Sequence, residues 1–512
     1  MKIDYAEKFR NDLVEFRDIT NKFYAGEIKM PEYKKFSGGF GSYAERGGKL
    51  GMLRLRHCGG RITKEYLQFI VDSINKYDIN LIHLTTCQCV QLHNLTVNVI
   101  CSLIEEAWDH GIITRGGGGD YPRNVMVSPL TGVLEGEPFD LTPYANAAAD
   151  YLLGFIGVVT LPRKLKVGFS NHPDNWPHAT FRDLGFVAKD NGTFDVYSAG
   201  GLGNNPKMGV LVATDVEKKD ILYHLKAMIM TFTTYGNYEQ RAKARTRYMQ
   251  DTLGVDGYKE AYNEKLKEAK AGEDLTLTVD EIVYTKTGDD DSFTDRRAIK
   301  QKQKGLYAVS YHPAGGNPSR ERLCKLNDAI QKMEEVEIRV TPSQGMYFIN
   351  LTASEAKEII ALTDDEPETE FERSVACIGN HICQIGLRDS QELIQSCINE
   401  VRPYHFKDKV LPIIHISGCT SSCSAHQIGT LGFRGSAKKT EEGVKPAFVF
   451  YVGGCDLQGA EQFGKEYGEM EIHQIPKFFV ELGQTISAEN TTYDEWIKDN
   501  HDKLIAIATK YM

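Results

Sequence analysis

The chain repeats itself at a fixed offset of 256 residues. Seven residues recur unchanged in the second copy: Gly59 and Gly60 at 315 and 316, Thr85 at 341, Gln88 at 344, and Asn94, Leu95 and Thr96 at 350 to 352. Seven identities at one offset are improbable by chance, so one unit has been used twice. Two copies are too few for a solenoid, and we expect a pseudo-twofold body with a site between the halves.

Each copy carries the same pattern of predicted secondary structure. Apolar residues at helical spacing follow Thr63 in the first copy and Ser319 in the second, and both are good N-cap residues. Short β-prone runs flank each helix, GMLRLRH and LIHLTT in the first copy and GLYAVSYH and VEIRVT in the second. The repeated module is therefore a strand, a Gly-Gly turn, a helix and a second strand.

A looser likeness continues downstream, where residues 184–186 and 431–433 both read Leu-Gly-Phe. Each half thus contains a small module followed by a larger one. Between the halves, residues 216–292 begin with helical periodicity and end in the acidic stretch TGDDDS, which is typical of a surface connection.

Composition narrows the class of protein. The 512 residues, 41% of them hydrophobic and 25% charged, are typical of a globular protein with more than one core. The N-terminal stretch is charged and the most apolar run, at 151–161, is too short to cross a bilayer, so we expect a cytoplasmic protein with no membrane partner. The net charge of −10 argues against nucleic-acid binding. In a reducing compartment the eleven cysteines favour thiols or metal ligands over disulfides.

Four of these cysteines form two close pairs, Cys377 with Cys383 and Cys419 with Cys423. Both pairs lie in stretches containing Gly or Ser, where the backbone can bend around a cluster and donate N–H groups to its sulfurs. The five-residue gap of the first pair is wide for zinc. From spacing alone, three interpretations stay open: an iron–sulfur cluster, a zinc site and ordinary buried thiols.

The first half instead carries a set of cations. They are Arg54 and Arg56 in a strand-like run, Arg115 and Arg123 around a four-glycine stretch, and Lys164 and Lys166 in LPRKLKV. Alternation with a period of two places Lys164 and Lys166 on one face of a predicted strand, and adjacent ammonium groups repel unless an anion lies between them. Any one of these cations is more commonly a solvated surface residue, but together they favour an anion pocket.

Six stretches of this chain resemble the nitrite and sulfite reductases that carry siroheme and a 4Fe-4S cluster. In family order they are GMLRLRHCGGRIT, HLTTCQCVQLHNL, TRGGGGDYPRNVMVSPLTG, LPRKLKV, ACIGNHICQ and SGCTSSCSAHQIGTLGFRG. The family is internally duplicated, as this chain is. The resemblance implies an α+β fold with two small ferredoxin-like half-modules and two larger α/β siroheme and iron–sulfur reductase domains in a pseudo-twofold arrangement.

On this interpretation the chain has five segments. They are an N-terminal helical arm (1–36), ferredoxin-like half-module 1 (37–108), reductase domain 1 with the substrate-side cations and a helical connection (109–292), ferredoxin-like half-module 2 (293–365), and reductase domain 2 with the cluster and siroheme ligands and C-terminal helices (366–512).

The resemblance also implies which residues hold the cofactors. The four cluster ligands would be Cys377, Cys383, Cys419 and Cys423. The Cys423 thiolate would in addition bind the siroheme iron and so couple the two redox centres. Arg54, Arg56 and Arg115 are candidates to pair with the siroheme carboxylates.

On the substrate side, Arg123 fills one of two family arginine positions, and Lys164 and Lys166 fill the lysine pair. A Lys-x-Lys pair is similar to sulfite reductases, whereas nitrite reductases more often have Asn in second place. The family motif TTRQ reads TTCQ here, which places Cys87 where the other substrate arginine is expected. Losing one charge-assisted contact of ~1.5 to 3 kcal/mol weakens anion binding by roughly tenfold or more, unless another cation reaches in. Cys87 and Cys89 are open to two interpretations, an extra redox or ligand pair and two packed thiols.

The activity implied is the six-electron reduction of sulfite to sulfide, with nitrite reduction to ammonia on the same cofactors as the first alternative. A non-catalytic siroheme or iron–sulfur redox protein is the second, because of the missing arginine. Four cysteines argue against an iron–sulfur hydro-lyase, which needs three thiolates and an open iron. No flavin- or nucleotide-binding segment is evident, so electrons would come from a ferredoxin or a flavoprotein subunit. Basic stretches at 296–304 and 434–439 are candidates for docking an acidic donor.

Overall fold

The structure is a computed structural model that describes residues 4–512, so the first three residues of the predicted N-terminal arm lie outside it. Its helices are α1 (Tyr5–Phe9), α2 (Asp12–Tyr24), α3 (Met30–Ser37), α4 (Lys64–Lys76), α5 (Val97–Asp109), α6 (Thr142–Gly154), α7 (Ile221–Tyr235), α8 (Met249–Gly272), α9 (Arg320–Ile330), α10 (Ala353–Leu362), α11 (Ser390–Val401), α12 (Ile475–Ala488) and α13 (Tyr493–Thr509). Its strands are β1 (Ser42–Ala44), β2 (Gly51–Arg56), β3 (Arg61–Ile62), β4 (Ile82–Leu84), β5 (Cys89–Leu95), β6 (Met126–Val127), β7 (Val167–Ser170), β8 (Leu184–Ala188), β9 (Thr193–Ser198), β10 (Val210–Glu217), β11 (Ala298–Lys300), β12 (Tyr307–Tyr311), β13 (Glu337–Val340), β14 (Met346–Leu351), β15 (Val375–Ala376), β16 (Ile414–Ser417), β17 (Leu431–Thr440), β18 (Gly443–Val452) and β19 (Lys465–Glu471).

Internal contacts divide the chain into two compact units. Unit 1 comprises Met1–Gly201, Pro206–Tyr311 and Pro318–Asp364, and unit 2 comprises Leu202–Asn205, His312–Asn317 and Asp365–Met512. The boundaries of the five segments proposed from sequence stay a prediction. None of the helices within residues 4–512 has the length and apolar character needed to cross a bilayer.

Unit 1 contains the sheets of both small modules. One sheet has the strand order β1-β2-β5-β4 and the other β11-β12-β14-β13-β3, so the short β3 of the first copy joins the second copy's sheet. The predicted caps are present: the Thr63 side chain accepts the Tyr66 N–H, and the Ser319 side chain accepts the Arg322 N–H. The predicted strands and helix are confirmed in both copies.

The repeated glutamines, Gln88 and Gln344, have the same structural role in both copies. Gln88 and Gln344 both have left-handed backbone, with φ of +55° and +66°. Gln88 Nε2 donates to the Val340 carbonyl at 2.9 Å, and Gln344 Nε2 donates to the Leu84 carbonyl at 3.2 Å. Each copy's glutamine therefore satisfies a backbone group at the end of the other copy's strand, and neither can be replaced without leaving that group unpaired.

Each unit also contains a five-stranded sheet of one topology. The order is β10-β9-β8-β7-β6 in unit 1 and β15-β16-β17-β18-β19 in unit 2. In both, the first three strands along the chain are parallel and the last two join antiparallel. Leu184 and Leu431 begin equivalent strands, β8 and β17, so the predicted duplication of a larger module is confirmed.

The remaining helices cover these sheets. In unit 2, Phe433 and Phe450 of the sheet pack with Phe479 of α12 in one apolar core, and all three are fully buried. In unit 1, α7 and α8 pack together, and residues 273–292 after them form neither helix nor strand, as predicted for the connection. Because the strands and helices form the packed cores, the candidate functional residues lie mainly on the loops that connect them.

Candidate functional site

The cysteine-bearing loops of unit 2 follow two adjacent parallel strands. Strand β15 runs directly into Cys377 and β16 runs into residues 418–423, with Ala376 paired to Ile416. The Cys377 N–H extends this pairing by donating to the Ile416 carbonyl at 3.1 Å. Because parallel strands end at one edge of a sheet, the two loops emerge side by side.

Two hydrogen-bonding groups contact the sulfur of Cys377. The Gly418 N–H donates to Sγ at 3.2 Å, and the Ser390 Oγ lies 3.0 Å from the same atom. Burial raises the pKa of the Cys377 thiol above its usual value, and these hydrogen bonds offset only part of that rise. A Cβ at Gly418 would lie 2.4 Å from the Arg388 carbonyl oxygen, so glycine is required for this close approach.

The other three cysteines lie on the same two loops. Cys383 donates its N–H to Gly379, whose φ is +76°, and the second loop turns at Ser422 with φ of +53°. Cys423 is exposed, and none of the eleven cysteines is in a disulfide. Within residues 4–512 no three His, Cys, Asp or Glu side chains are close enough to share a single metal ion. A 4Fe-4S cluster has a different requirement, four thiolates on separate irons with N–H donors to sulfur. The two loops carry four cysteines, and the Gly418 N–H is such a donor, so the residue types fit a cluster.

In unit 1 the lysine pair lies just before strand β7, so its prediction as part of a regular strand is corrected. Lys164 and Lys166 flank Leu165, which makes an isolated parallel bridge to Pro122. The Arg123 N–H donates to the Leu165 carbonyl at 2.8 Å, which places Arg123 beside the pair. The extended backbone still puts both lysines on one side of Leu165.

Cys87 lies in the turn between β4 and β5 and faces Lys166. The Lys166 Nζ is 3.2 Å from the Cys87 Sγ. Burial raises the pKa of Cys87, but the charges of Lys166, Arg182 and Arg54 outweigh it and lower the pKa to about 6. This lowered pKa favours the thiolate form of Cys87 at neutral pH, with its sulfur facing the Lys166 side-chain nitrogen.

Cys89 differs from Cys87. It is 1% exposed, its Sγ lies 3.4 Å from the Cys87 carbonyl oxygen, and burial raises its pKa to about 11. Cys89 thus fits the interpretation of a packed thiol, whereas the cations around Cys87 favour its thiolate form. This difference had no signal in the sequence, because it depends on cations distant along the chain.

Three residues of this pocket, Arg182, Asp183 and Arg245, were missed by the sequence reasoning. The carboxylate of Asp183 is fully buried and accepts the Lys166 N–H at 2.8 Å and Arg245 Nη2 at 3.0 Å to each oxygen. It also accepts the Thr246 hydroxyl. The available signal was the Arg-Asp pair just before the repeated Leu-Gly-Phe, where the second copy reads Gly-Thr.

The pocket lowers the pKa of both lysines. For Lys164, burial acts with the charges of Arg245, Lys166 and Arg123, and the pKa lies well below its usual value. For Lys166, burial lowers the pKa while the Cys87 thiolate raises it. A partly buried set of cations in which charge repels charge is stabilised by an anion.

The three arginines predicted to pair with siroheme carboxylates have different surroundings. Arg54 is partly exposed and donates to the Gly117 carbonyl. Arg56 is buried and donates to the carbonyls of Arg115 and Arg123. Arg115 is buried, lies 4.3 Å from the Phe40 ring centroid and pairs with Asp12 at 3.2 Å. Arg56 thus stabilises the glycine-rich loop between Arg115 and Arg123 by bonding to its backbone. Pairing with siroheme carboxylates stays a prediction for all three arginines.

Comparisons with known proteins agree with this fold. The profile described as the nitrite/sulfite reductase ferredoxin-like half domain matches residues 43–107 and 299–365. The profile described as the nitrite and sulphite reductase 4Fe-4S domain matches residues 118–270. The four candidate cluster cysteines lie outside that second match, so their role as ligands stays a prediction.

Individual relatives give the same family. The chain is 23% identical to "Sulfite reductase (ferredoxin) 1" of Mycolicibacterium paratuberculosis over 88% of this chain and 80% of that protein. It is also 23% identical to the "Assimilatory ferredoxin-dependent nitrite reductase" of Haloferax mediterranei, over 96% of this chain and 90% of that one. The solved structure of the Mycobacterium tuberculosis NirA protein superposes with a TM-score of 0.81 at 21% identity, covering 96% of this chain and 95% of that one.

The predicted fold class is therefore confirmed, including the two ferredoxin-like half-modules. The predicted cofactors, siroheme and a 4Fe-4S cluster, are those that the family implies. The chain belongs to the nitrite and sulfite reductase family of oxidoreductases.

Proposed function

We propose that this protein reduces sulfite to sulfide in a six-electron reaction. The observation that carries the proposal is the Lys164 and Lys166 pair, held beside Arg123 and Arg245 in a pocket whose charges repel one another. Sulfite carries more negative charge than nitrite near neutral pH, and a pocket with two lysines suits it better. Relatives named for either anion are about equally similar, at 23 to 24% identity, so the choice between substrates rests on the pocket.

The chain's own residues would bind the anion and move protons. Siroheme and the cluster, held by Cys377, Cys383, Cys419 and Cys423 with Cys423 shared between them, would supply the electrons and the iron to which the anion binds. Lys164, Lys166 and Arg123 would hold the oxyanion and stabilise its charge. Each oxygen that leaves as water needs protons, which an ammonium group beside it can deliver.

Nitrite reduction to ammonia is a second candidate, favoured by one observation. The Cys87 thiolate places a negative charge 3.2 Å from the Lys166 ammonium, which lowers the net positive charge of the pocket. A pocket with a lower positive charge favours the more highly charged sulfite over nitrite by a smaller margin.

We infer that a ferredoxin supplies the electrons, because several similar proteins are named as ferredoxin-dependent enzymes. A flavoprotein subunit is the alternative donor. The basic stretch 434–439 lies on β17, in the sheet whose other strands carry the cluster loops, and would dock an acidic donor. The stretch 296–304 is the second candidate for this contact.

Steady-state assays with each anion and a dithionite-reduced dye test the proposal. Lys166→Ala should lower the kcat/KM for sulfite at least tenfold while the siroheme absorption stays in place. Lys189→Ala removes a partly exposed lysine that pairs with Asp215, outside the pocket. It is the matched control and should leave the kcat/KM for sulfite unchanged. Unchanged sulfite turnover in Lys166→Ala would show that the substrate pocket is elsewhere. Wild-type protein that binds siroheme but reduces neither anion would favour a non-catalytic redox protein.

A further inference from the structure

We propose that Cys87 acts as the counter-ion that keeps Lys166 in its protonated form, so that Lys166 is the proton donor of the anion pocket. In this role Cys87 is a positioning residue, since it acts through Lys166. The inference rests on the proposed function, because it assigns roles within that same pocket.

Both members of the pair are fixed by their backbones. The Cys87 carbonyl accepts Asn124 Nδ2 at 3.0 Å, and the Cys87 N–H donates to Thr85 Oγ1 at 3.4 Å. The Lys166 N–H is held by Asp183 at 2.8 Å. The contact of 3.2 Å between Nζ and Sγ therefore joins two residues whose backbones are anchored.

The charges around Lys166 require a counter-ion. Arg182 and Arg245 both lower its pKa, and burial does the same. The Asp183 carboxylate is occupied by the Arg245 guanidinium and by the backbone of Lys166. The Cys87 sulfur is the negative group that faces the ammonium, and it raises the Lys166 pKa.

Lys164 has no thiolate among the charged groups that act on its pKa, and so it serves as a comparison for Lys166. The charged groups that act on it are all cations: Arg245, Lys166, Arg123 and Arg163. The two lysines therefore have different protonation behaviour, and Lys166 is the better acid–base partner for a bound oxyanion. In the proposed step the Lys166 Nζ gives a proton to an oxygen of the anion, and the amine then regains a proton from water.

Three variants separate charge from packing. Cys87→Ser keeps the size but removes the charge, so it should lower kcat at pH 7 at least tenfold. It should also move the basic limb of the pH profile to lower pH by one unit or more, because the Lys166 pKa falls. Cys87→Asp restores a negative charge and should recover kcat to within threefold of wild type. Cys89→Ser is the control and should match wild type in both respects.

A chemical measurement tests the ion pair independently of turnover. Alkylation of Cys87 by iodoacetamide in the holoprotein, followed by peptide mass spectrometry, should be half-maximal near pH 6, since the groups facing its sulfur are Lys166, Arg182 and Arg54. In Lys166→Met the half-point should rise by at least one unit. A wild-type half-point above pH 8, or a Cys87→Ser profile equal to wild type, would overturn the inference. Wild-type protein that reduces neither anion would instead overturn the proposed function and leave the alkylation result to decide on the pair.

Discussion

Replacing Asp183 by Asn should weaken unit 1 and tighten anion binding at the same time. The carboxylate is fully buried and is the acceptor for both Arg245 Nη2 and the Lys166 N–H. Asparagine keeps the shape of the side chain but removes its charge, and its amide group turns donors toward the Arg245 guanidinium. The Arg245 guanidinium then loses its carboxylate partner.

The two effects have different sizes. Removing one partner of a buried ion pair costs ~3 to 5 kcal/mol. At about 2 °C per kcal/mol for a large domain, the thermal midpoint should fall by roughly 6 to 10 °C. The same change removes one negative charge from the edge of the anion pocket, which should tighten anion binding by about 1 kcal/mol, or roughly fivefold, after screening by solvent.

Thermal unfolding followed by circular dichroism measures the first effect, and optical titration of the oxidised holoprotein with sulfite measures the second. In an Arg245→Met background the Asp183→Asn change should cost at least ~1 kcal/mol less, because the pair is already broken. A midpoint within 1 °C of wild type, or weaker anion binding in Asp183→Asn, would refute the interpretation of Asp183 as the counter-charge of the pocket.

Three further changes have defined outcomes. Ser390→Ala removes the hydroxyl that lies 3.0 Å from the Cys377 Sγ. Losing this hydrogen bond, worth about 1 kcal/mol, should lower the midpoint potential of the cluster by roughly 40 mV in an EPR redox titration. An unchanged potential would mean that the hydroxyl bonds only to the Cys377 carbonyl. Burial lowers the pKa of His57 to about 3, so its contribution to stability is complete above pH 6.5 and is lost as the pH falls toward 3. The loss should be about 3 kcal/mol by pH 4.5, and His57→Phe should flatten the acid limb of the stability curve; equal slopes would contradict this. Gln88→Met removes donors to the carbonyls of Gly59, Val127 and Val340 and should cost ~3 kcal/mol or more in thermal unfolding, whereas Gln240→Met, at an exposed position, should cost under ~0.5 kcal/mol.

Features with a local cause were predictable from the sequence. The caps at Thr63 and Ser319 depend on residues three positions apart, and the strands around each helix follow from short apolar runs.

Features that depend on distant partners were not predictable. Asp183 contacts Arg245, which lies 62 residues away, and no local pattern marks the two residues as partners. The charge of Cys87 likewise depends on Lys166, which lies 79 residues away. A polar pair far apart in sequence leaves no periodic signal, unlike an amphipathic helix or strand.

The two larger sheets share backbone features around the loops that carry the candidate cluster ligands in unit 2. The connections β7 to β8 and β16 to β17 have equal length, residues 171–183 and 418–430. In unit 2 the Gly418 N–H donates to the Cys377 Sγ at 3.2 Å, and in unit 1 the Asn171 N–H donates to the Ser128 Oγ at 3.2 Å. The N–H donor to the candidate ligand is thus present in the copy that has no cysteine there.

The side chains of the two loops then decide what each copy can bind. The positions of Cys419 and Cys423 in unit 2 correspond, counted from the start of each connection, to His172 and Trp176 in unit 1. Those two rings stack with centroids 4.8 Å apart and fill the loop with aromatic carbon. The two connections have equal length between equivalent strands, so the difference between them lies in their side chains. The candidate cluster ligands therefore come from one half of a duplicated chain, and the cations proposed to bind the anion come from the other half.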